Sequence, residues 1–108
     1  MIEPGSQAPD FTLPDLQGST WSPSQIVGDA VLVVVFACNH CPYVRHIEQQ
    51  LGRVAANAPA TVVAICSNDA VTYPEDAPEQ LAQQAIRATW GFPYLVDEDQ
   101  SVARRFGA

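Results

Sequence analysis

The chain has 108 residues, a hydrophobic content of 47% and a formal net charge of -7, which are typical of one acidic globular domain spanning residues 1–108. The acidic balance argues against nucleic acid or an anionic membrane surface as a partner. All five basic residues are arginines, so Schiff-base chemistry and a phosphate-binding P-loop lysine are excluded.

The first predicted elements are short. Residues 1–5 have neither the basic flank nor the apolar core of a signal peptide, and the longest apolar run is too short to span a bilayer. We therefore expect a cytoplasmic location, with removal of a signal by processing as the alternative, and no membrane partner. A turn-like segment at residues 14–18 predicts a short β-hairpin. Residues 22–24 predict the start of a brief helix, which would end at a turn at residues 28–29.

The apolar, β-branched run of residues 31–37 leads directly into the sequence CNHCP of residues 38–42, and a helical pattern follows. Such a run is typical of a strand buried on both faces in the middle of a parallel sheet. Cys38 and Cys41 would then lie at the carboxyl end of a central strand and at the amino end of a helix. A helix amino end favours an anion, and the reactive form of cysteine is the thiolate. Redox or nucleophilic thiol chemistry is therefore the leading interpretation.

The remaining pattern predicts a βαβ unit followed by two more helices. A second apolar strand is predicted at residues 61–66, and a third parallel strand at residues 94–96. A buried stripe is predicted on the first long helix from its apolar spacing; its members are Val44, Ile47, Leu51, Val54 and Ala55.

Capping signals place the later helices. Asp76, three residues before Glu79, predicts a helix that runs to about Trp90 and stops at Gly91. Asp99 predicts the start of a last helix, which would end at Phe106 with two arginines in its final turn. The acidic residues 97–99 are interpreted as a solvated edge, because they show no calcium-loop pattern.

The spacing leaves the roles of the two cysteines open. If Cys38 caps the helix, Cys41 is the buried second thiol; if Cys41 caps it, Pro42 takes the first helical position, where proline is favoured. We favour Cys41 as the activated thiolate, with Cys38 as its disulfide partner. Two inert buried cysteines are the alternative, and Cys66 is expected to be a core residue.

His40 has three interpretations: a partner that stabilises the thiolate, a metal ligand, or an exposed loop residue. His46 is expected to face water because of its position around the helix. Four polar residues follow the second strand and are expected near the site: Asn68, Asp69, Tyr73 and Asp76. The competing interpretation is that each serves only in a turn or as a helix cap, and for Asp76 we prefer that interpretation.

Together these residues resemble the thioredoxin-like alkyl hydroperoxide reductase and thiol-specific antioxidant (AhpC/TSA) superfamily, and within it a peroxiredoxin-like branch with the signature CNHCPYV. The matching segments are residues 5–16 (GSQAPDFTLPDL), 36–44 (FACNHCPYV), 67–69 (SND), 73–76 (YPED) and 92–97 (FPYLVD). The resemblance covers nearly the whole chain. It implies a thioredoxin-like α/β fold, with a mostly parallel sheet and an N-terminal hairpin, that lacks the carboxyl-terminal β-β-α part of the family.

The resemblance also bears on the site. Cys41 matches the attacking cysteine of thioredoxins, and Cys41-Pro42 matches the Cys-Pro pair of peroxiredoxins. Val44 stands at the second thioredoxin position, so Cys38 would have to resolve the disulfide from the other side. Cys38 also replaces the threonine that peroxiredoxins keep three residues before their reactive cysteine. The resemblance implies that Cys41, Cys38 and His40 carry the chemistry.

The functional hypothesis is therefore a thiol–disulfide oxidoreductase or peroxiredoxin-like redox protein without a cofactor. Its partners would be protein or small-molecule thiols, disulfides or peroxides. The alternatives are a copper- or zinc-binding thioredoxin-like protein and a catalytically silent interaction module. Without the carboxyl-terminal strands, the strand of residues 31–36 has an open edge, so we expect a homo-oligomer that pairs through it.

Overall fold

The computed structural model describes residues 3–23 and 31–108. In these ranges a two-stranded hairpin precedes a three-stranded sheet that is flanked by helices. Residues 24–30 are not among those described. The predicted turn at residues 28–29 therefore lies outside the described residues, and so does the predicted helix beyond residue 23.

The predicted N-terminal hairpin is confirmed. Strand β1 (Leu13–Pro14) pairs antiparallel with β2 (Thr20–Trp21). The Asp15 carboxylate holds the turn, because it accepts hydrogen bonds from the backbone N–H of Gln17 and Ser19 and from the indole Nε1 of Trp21 at 2.8 Å. The hairpin is therefore held together by the Asp15 side chain as well as by the backbone pairing of its two short strands.

The second sheet is parallel, as predicted. It contains β3 (Leu32–Phe36), β4 (Thr61–Cys66) and β5 (Tyr94–Val96) in the spatial order β3-β4-β5. The register pairs Val34 with Val63 and Ile65 with Leu95. Parallel strands place their carboxyl ends at one edge of the sheet, so the segments that follow β3, β4 and β5 meet there.

The prediction that residues 31–37 form a central strand buried on both faces is wrong for the part of the chain that the structure describes. β4 is the central strand, whereas β3 pairs with β4 alone among the described strands. Val31 and Val33 are consequently 66% and 41% exposed. An apolar run shows that a strand can be buried, but the neighbouring elements decide whether it is.

The first long helix, α1 (Pro42–Asn57), connects β3 to β4. The predicted apolar stripe is only partly buried: Ile47 and Val54 are 46% and 65% exposed, and the buried positions of the helix are Glu48 and Gly52. Gly52 is buried because α1 passes so close to the end of the next helix that a Cβ atom there would lie 2.7 Å from the carbonyl oxygen of Ala88.

The next helix, α2 (Pro78–Ala88), follows a 3-10 turn at Pro74–Asp76. It ends slightly earlier than the predicted limit near Trp90, because Thr89 adopts the left-handed conformation (φ 58°) and its N–H closes the last turn. The last helix, α3 (Ser101–Phe106), carries Arg104 and Arg105 in its last turn as predicted.

The cap of α3 differs from the prediction. Asp97 is fully buried and accepts hydrogen bonds from the backbone N–H groups of Val102 and Ala103 and from the hydroxyl of Ser67. Asp99 accepts the N–H of Ser101 at the surface. The interpretation of residues 97–99 as a solvated edge is therefore wrong for Asp97, because its carboxylate is needed to satisfy the first N–H groups of α3.

Two apolar clusters cover the two faces of the sheet. Cys66, Leu81, Trp90 and Tyr94 belong to one of them, and the second is formed around Val63, Ile65, Leu95 and Val102. Cys66 is 1% exposed, which confirms it as a core residue. Within residues 3–23 and 31–108, no helix has both the length and the apolar character needed to cross a membrane.

Candidate active site

Cys41 is the N-cap of α1, and Pro42 takes the first helical position, as the favoured interpretation predicted. The backbone N–H groups of Val44 and, to a lesser degree, Tyr43 stabilise the thiolate form of Cys41, and together they lower its pKa. The Cys38 thiol, which also donates toward the Cys41 sulfur, adds to this effect. Cys41 is therefore the cysteine that is placed to ionise first.

Cys38 lies after the end of β3 in a partly buried position, and the three cysteines are free thiols. Burial raises the pKa of the Cys38 thiol, and the nearby Asp76 carboxylate raises it further, against the opposing effect of the Cys41 N–H. Burial raises the pKa of Cys66 to about 12. The site therefore contains one thiol with a lowered pKa next to one with a raised pKa, and the third thiol is buried in the core.

Asp76 is not a helix cap, which corrects the preferred interpretation from the sequence. Ala77 is the N-cap of α2, and the Asp76 side chain turns inward, where the residue is 3% exposed. Its Oδ1 accepts the backbone N–H of Asn39 at 2.6 Å and that of His40 at 3.1 Å. The carboxylate therefore binds the turn between the two cysteines, a contact across 37 residues that no local spacing could reveal.

His40 is bound rather than freely exposed. Its Nδ1 lies 2.5 Å from Oδ2 of Asp76, and the same oxygen accepts the Asn68 amide at 3.0 Å. The imidazole stacks on the Tyr73 ring with a centroid distance of 4.2 Å and an interplanar angle of 11°. The side chain is 29% exposed, so it stays open to solvent on one side. The interpretation of His40 as a free loop residue is therefore wrong.

The remaining polar residues that the sequence placed near the site fall into two groups, those that contact the His40–Asp76 pair and those that do not. Asn68 and Tyr73 contact the His40–Asp76 pair, so the structure brings them into the site. Asp69 instead accepts the N–H of Val71 and the hydroxyl of Thr72, which is turn chemistry. His46 is exposed, as expected from its position on α1.

A second polar network, which the sequence analysis missed, supports the cysteine turn from α1 and α2. Gln84 is fully buried, and its amide donates to the carbonyl of Cys38 at 3.0 Å and to Glu48 at 3.2 Å. Arg87 donates to both Glu48 oxygens and to the Asn39 side chain at 3.0 Å. These bonds hold the pKa of Glu48 below its usual range, with Arg87 as the main cause.

Two aromatic side chains donate further hydrogen bonds to this network. The Tyr94 hydroxyl donates to Gln84, and the indole Nε1 of Trp90 donates to the backbone carbonyl of Glu48 at 2.7 Å. Glu48 and Gln84 occupy inward positions on α1 and α2, but hydrophobic periodicity identifies only apolar residues as buried. A buried glutamate needs a partner, and Arg87 is far from it in sequence.

One group among the described residues has the donor atoms for a metal ion. Ligand atoms of Cys38, His40 and Asp76 all lie within 4.8 Å of one another. However, both Asp76 oxygens already accept two hydrogen bonds each, and one of their donors is His40 Nδ1. Binding a metal through Asp76 would break bonds that hold the cysteine turn, so the geometry favours thiol chemistry over the metal-binding alternative.

A shallow groove of about 340 Å³ adjoins Cys38 on the side of β4 and α3. Its lining combines apolar groups, among them Phe36 and Ile65, with four polar side chains that can contact a bound molecule: Ser67, Asn68, Gln100 and Arg104. Cys41 is not part of this lining. The groove therefore gives access to the site from the side of Cys38.

The arrangement defines a class of protein: a thioredoxin-like α/β domain with two free cysteines at the amino end of a helix. The sequence model of the AhpC/TSA family matches residues 4–108. The chain therefore belongs to the AhpC/TSA family. None of the curated proteins matches it.

Solved structures agree with this assignment. An uncharacterized conserved protein from Geobacillus kaustophilus is 41% identical, with a TM-score of 0.93; the match covers 100% of this chain and 59% of that one. The hypothetical protein SMc02350 from Sinorhizobium meliloti 1021 is 38% identical, with a TM-score of 0.92 and coverages of 100% and 61%. This chain thus spans about three fifths of their length.

More distant similarity shows the fold alone. Peroxidoxin BcpB from Mycobacterium tuberculosis is 24% identical over 95% of this chain and 64% of its own, with a TM-score of 0.75. A secreted disulfide oxidoreductase from the same organism has 24% identity, a TM-score of 0.74 and coverages of 89% and 66%. The predicted fold class is confirmed, including its correspondence to only part of the longer thioredoxin-like chains.

Proposed function

We propose that this chain carries out thiol–disulfide exchange, with Cys41 as the attacking thiolate and Cys38 as the resolving thiol. The observation that carries the proposal is the placement of two neighbouring thiols: Cys41 caps the amino end of α1, where backbone N–H groups lower its pKa, whereas burial raises the pKa of Cys38. An attacking cysteine must be ionised at ambient pH, whereas a resolving cysteine acts only after the mixed disulfide has formed.

The chemistry follows in two steps. The Cys41 thiolate attacks one sulfur of a disulfide substrate, a mixed disulfide forms, and the other sulfur leaves as a thiolate. Cys38 then attacks the Cys41 sulfur, so that the Cys38–Cys41 disulfide forms and the second substrate thiol is released. With a peroxide, Cys41 would instead be oxidised to a sulfenic acid, and Cys38 would condense with it and release water. Both routes end in the same disulfide.

Mild oxidation followed by peptide mapping tests the proposal. We expect a Cys38–Cys41 disulfide with Cys66 free, because Cys66 is buried in the core. A single turnover of the reduced protein with glutathione disulfide and with hydrogen peroxide, measured in parallel without a reductant, identifies the oxidant class. Cys41→Ser should abolish this turnover, Cys38→Ser should stop at the mixed disulfide or the sulfenic acid, and Cys66→Ser is the matched control.

Two results would contradict the proposal. Pairing of Cys66 with either site cysteine would show that the thiols are not arranged as described. Three free thiols under oxidant and no turnover of either substrate would instead favour a silent interaction module. Metal analysis of the purified protein, before and after a chelator, tests the metal-binding alternative separately.

We also propose that the chain self-associates through β3. The strand pairs with β4 on one side, and no described strand pairs with its other side. The exposed Val31 and Val33 lie on this strand or directly before it, and residues 31–36 contain neither charge nor proline to block pairing. An apolar edge with unpaired N–H and C=O groups is a template for a strand of a second copy.

Size-exclusion chromatography with light scattering tests this association. We expect a dimer or larger species that Val33→Glu shifts toward the monomer. Val71→Glu is the matched control, because Val71 is 88% exposed and lies in a turn outside the strands. A monomer at high concentration, or an equal effect of both substitutions, would show that the edge does not mediate association.

A further inference from the structure

Resolution by Cys38 requires that its thiol lose a proton, and the structure places a hydrogen-bonded acid–base pair beside it. We infer that the His40–Asp76 pair removes the Cys38 proton when the mixed disulfide is resolved, with His40 as the base and Asp76 as its positioning residue. This inference rests on the proposed thiol–disulfide exchange. It assigns a function to Asp76, which the sequence pattern presented as a helix cap.

The geometry supports the assignment of the base. The Cys38 sulfur, a His40 ring nitrogen and an Asp76 oxygen lie within 4.8 Å of one another, a separation that one water molecule can bridge. When His40 donates its Nδ1–H to Asp76 Oδ2, Nε2 on the far side of the ring keeps the lone pair that can accept the Cys38 proton through a bridging water. Asp76 itself is less suited to accept it, because both of its oxygens already take two hydrogen bonds.

The pair is held in place from several directions. Two backbone N–H groups and the Asn68 amide fix the Asp76 carboxylate, and the Tyr73 ring stacks on the imidazole. Such support keeps the His40 ring oriented without a change in the fold during the reaction. The exposed part of the imidazole gives the accepted proton a route to the leaving group or to solvent.

Other ionisable groups near Cys38 do not fit the role. Cys41 is the sulfur under attack, and Cys66 is itself a protonated thiol in the core. Across the cysteine turn, Glu48 is occupied by Arg87 and Gln84, and Arg87 is a cation that contacts Asn39. Burial raises the pKa of Cys38, so a base is needed for resolution at neutral pH.

The proton and electron balance is complete without another reagent. His40 accepts the proton of Cys38 as the Cys38 sulfur attacks Cys41. The sulfur–sulfur bond of the mixed disulfide breaks, and its electron pair leaves with the substrate sulfur as a thiolate. The protonated His40 then returns its proton to that thiolate. Cys38 and Cys41 are oxidised to a disulfide, and the substrate disulfide is reduced to two thiols.

Stopped-flow reaction with dithiobis(nitrobenzoate) separates the two steps. The first coloured thiolate is released when Cys41 attacks, at a rate that depends on reagent concentration. The second is released when Cys38 resolves the mixed disulfide, at a rate that does not. We expect Asp76→Asn and His40→Gln to slow the second phase by about 10²–10⁴-fold, which is the typical contribution of a general base.

The pH dependence distinguishes a base from a merely structural role. In both variants the second phase should recover toward the wild-type rate at pH values above the pKa of Cys38, where hydroxide removes the proton. His46→Gln and Glu75→Gln are matched controls, because both residues are exposed and should leave both phases unchanged. Circular dichroism verifies that each variant is folded, and His40→Gln provides the test if Asp76→Asn does not fold.

The outcomes separate this inference from the proposed function. If the wild-type protein releases only one coloured thiolate, Cys38 does not resolve the disulfide and the proposed function is wrong. If the second phase occurs but His40→Gln leaves its rate unchanged, the assignment of the base is wrong. A slowed second phase that does not recover at high pH would also overturn it, because that result indicates displacement of Cys38.

Discussion

The close approach of α1 to the end of α2 makes a single added methyl group a sensitive probe of the packing behind the site. Gly52→Ala would place a Cβ atom 2.7 Å from the carbonyl oxygen of Ala88 and 3.0 Å from Cδ1 of Trp90. Ordinary contacts begin at 3.4 Å, so the two helices would have to separate by about 0.7 Å. The obstacle at Ala88 is backbone, which cannot rotate away as a side chain can.

Two opposing contributions determine the change in the free energy of unfolding. Alanine is favoured over glycine inside a helix by about 1 kcal/mol. Overpacking at a rigid contact costs about 1–3 kcal/mol. We therefore expect a net loss of about 1 kcal/mol, which corresponds to a fall in the melting temperature of roughly 4–8 °C for a domain of this size. The displaced Trp90 should also weaken its hydrogen bond to Glu48.

Urea denaturation followed by tryptophan fluorescence measures this loss. Gly91→Ala is the matched control, because a Cβ atom at Gly91 would meet nothing within 4 Å. If Gly52→Ala stabilises the protein by about 1 kcal/mol, helix propensity alone decides the outcome, and the close contact between the helices is refuted.

Three further predictions concern the thiols and the buried ion pair. Alkylation rates measured against pH should show a fast phase at low pH that Cys41→Ser loses and Cys38→Ser retains; the reverse would make Cys38 the attacking thiol. Cys66, whose pKa is raised to about 12, should be alkylated only after unfolding, as mass spectrometry with and without urea would show, and rapid labelling in the native protein would contradict its burial. Glu48→Gln should lower the free energy of unfolding by about 1 kcal/mol at neutral pH, a small figure because Arg87 is 38% exposed. Because the pKa of Glu48 is lower in the folded state, this stabilisation is complete above the unfolded pKa and is lost as the pH falls through the folded pKa. The difference between wild type and variant should therefore shrink in acid, and a constant difference would exclude the charge of Glu48 as its cause.

The sequence by itself determined the order of the main elements and the position of the thiols. Apolar β-branched runs identified β3 and β4, and helical spacing with proline at a first turn identified α1. These signals are local, since strand period, helix period and capping depend on residues a few positions apart. They were sufficient to favour Cys41 over Cys38 at the helix amino end and to place Cys66 in the core.

The tertiary structure alone decided which polar groups serve the site. Asp76 has the local signature of a cap, yet its carboxylate binds the backbone of Asn39 and His40, because the segments after β3 and β4 meet at one edge of the sheet. Likewise, Glu48 lies inside because Arg87 on α2 pairs with it. Both pairings join residues more than thirty positions apart, and their partners become neighbours only when the parallel strands align.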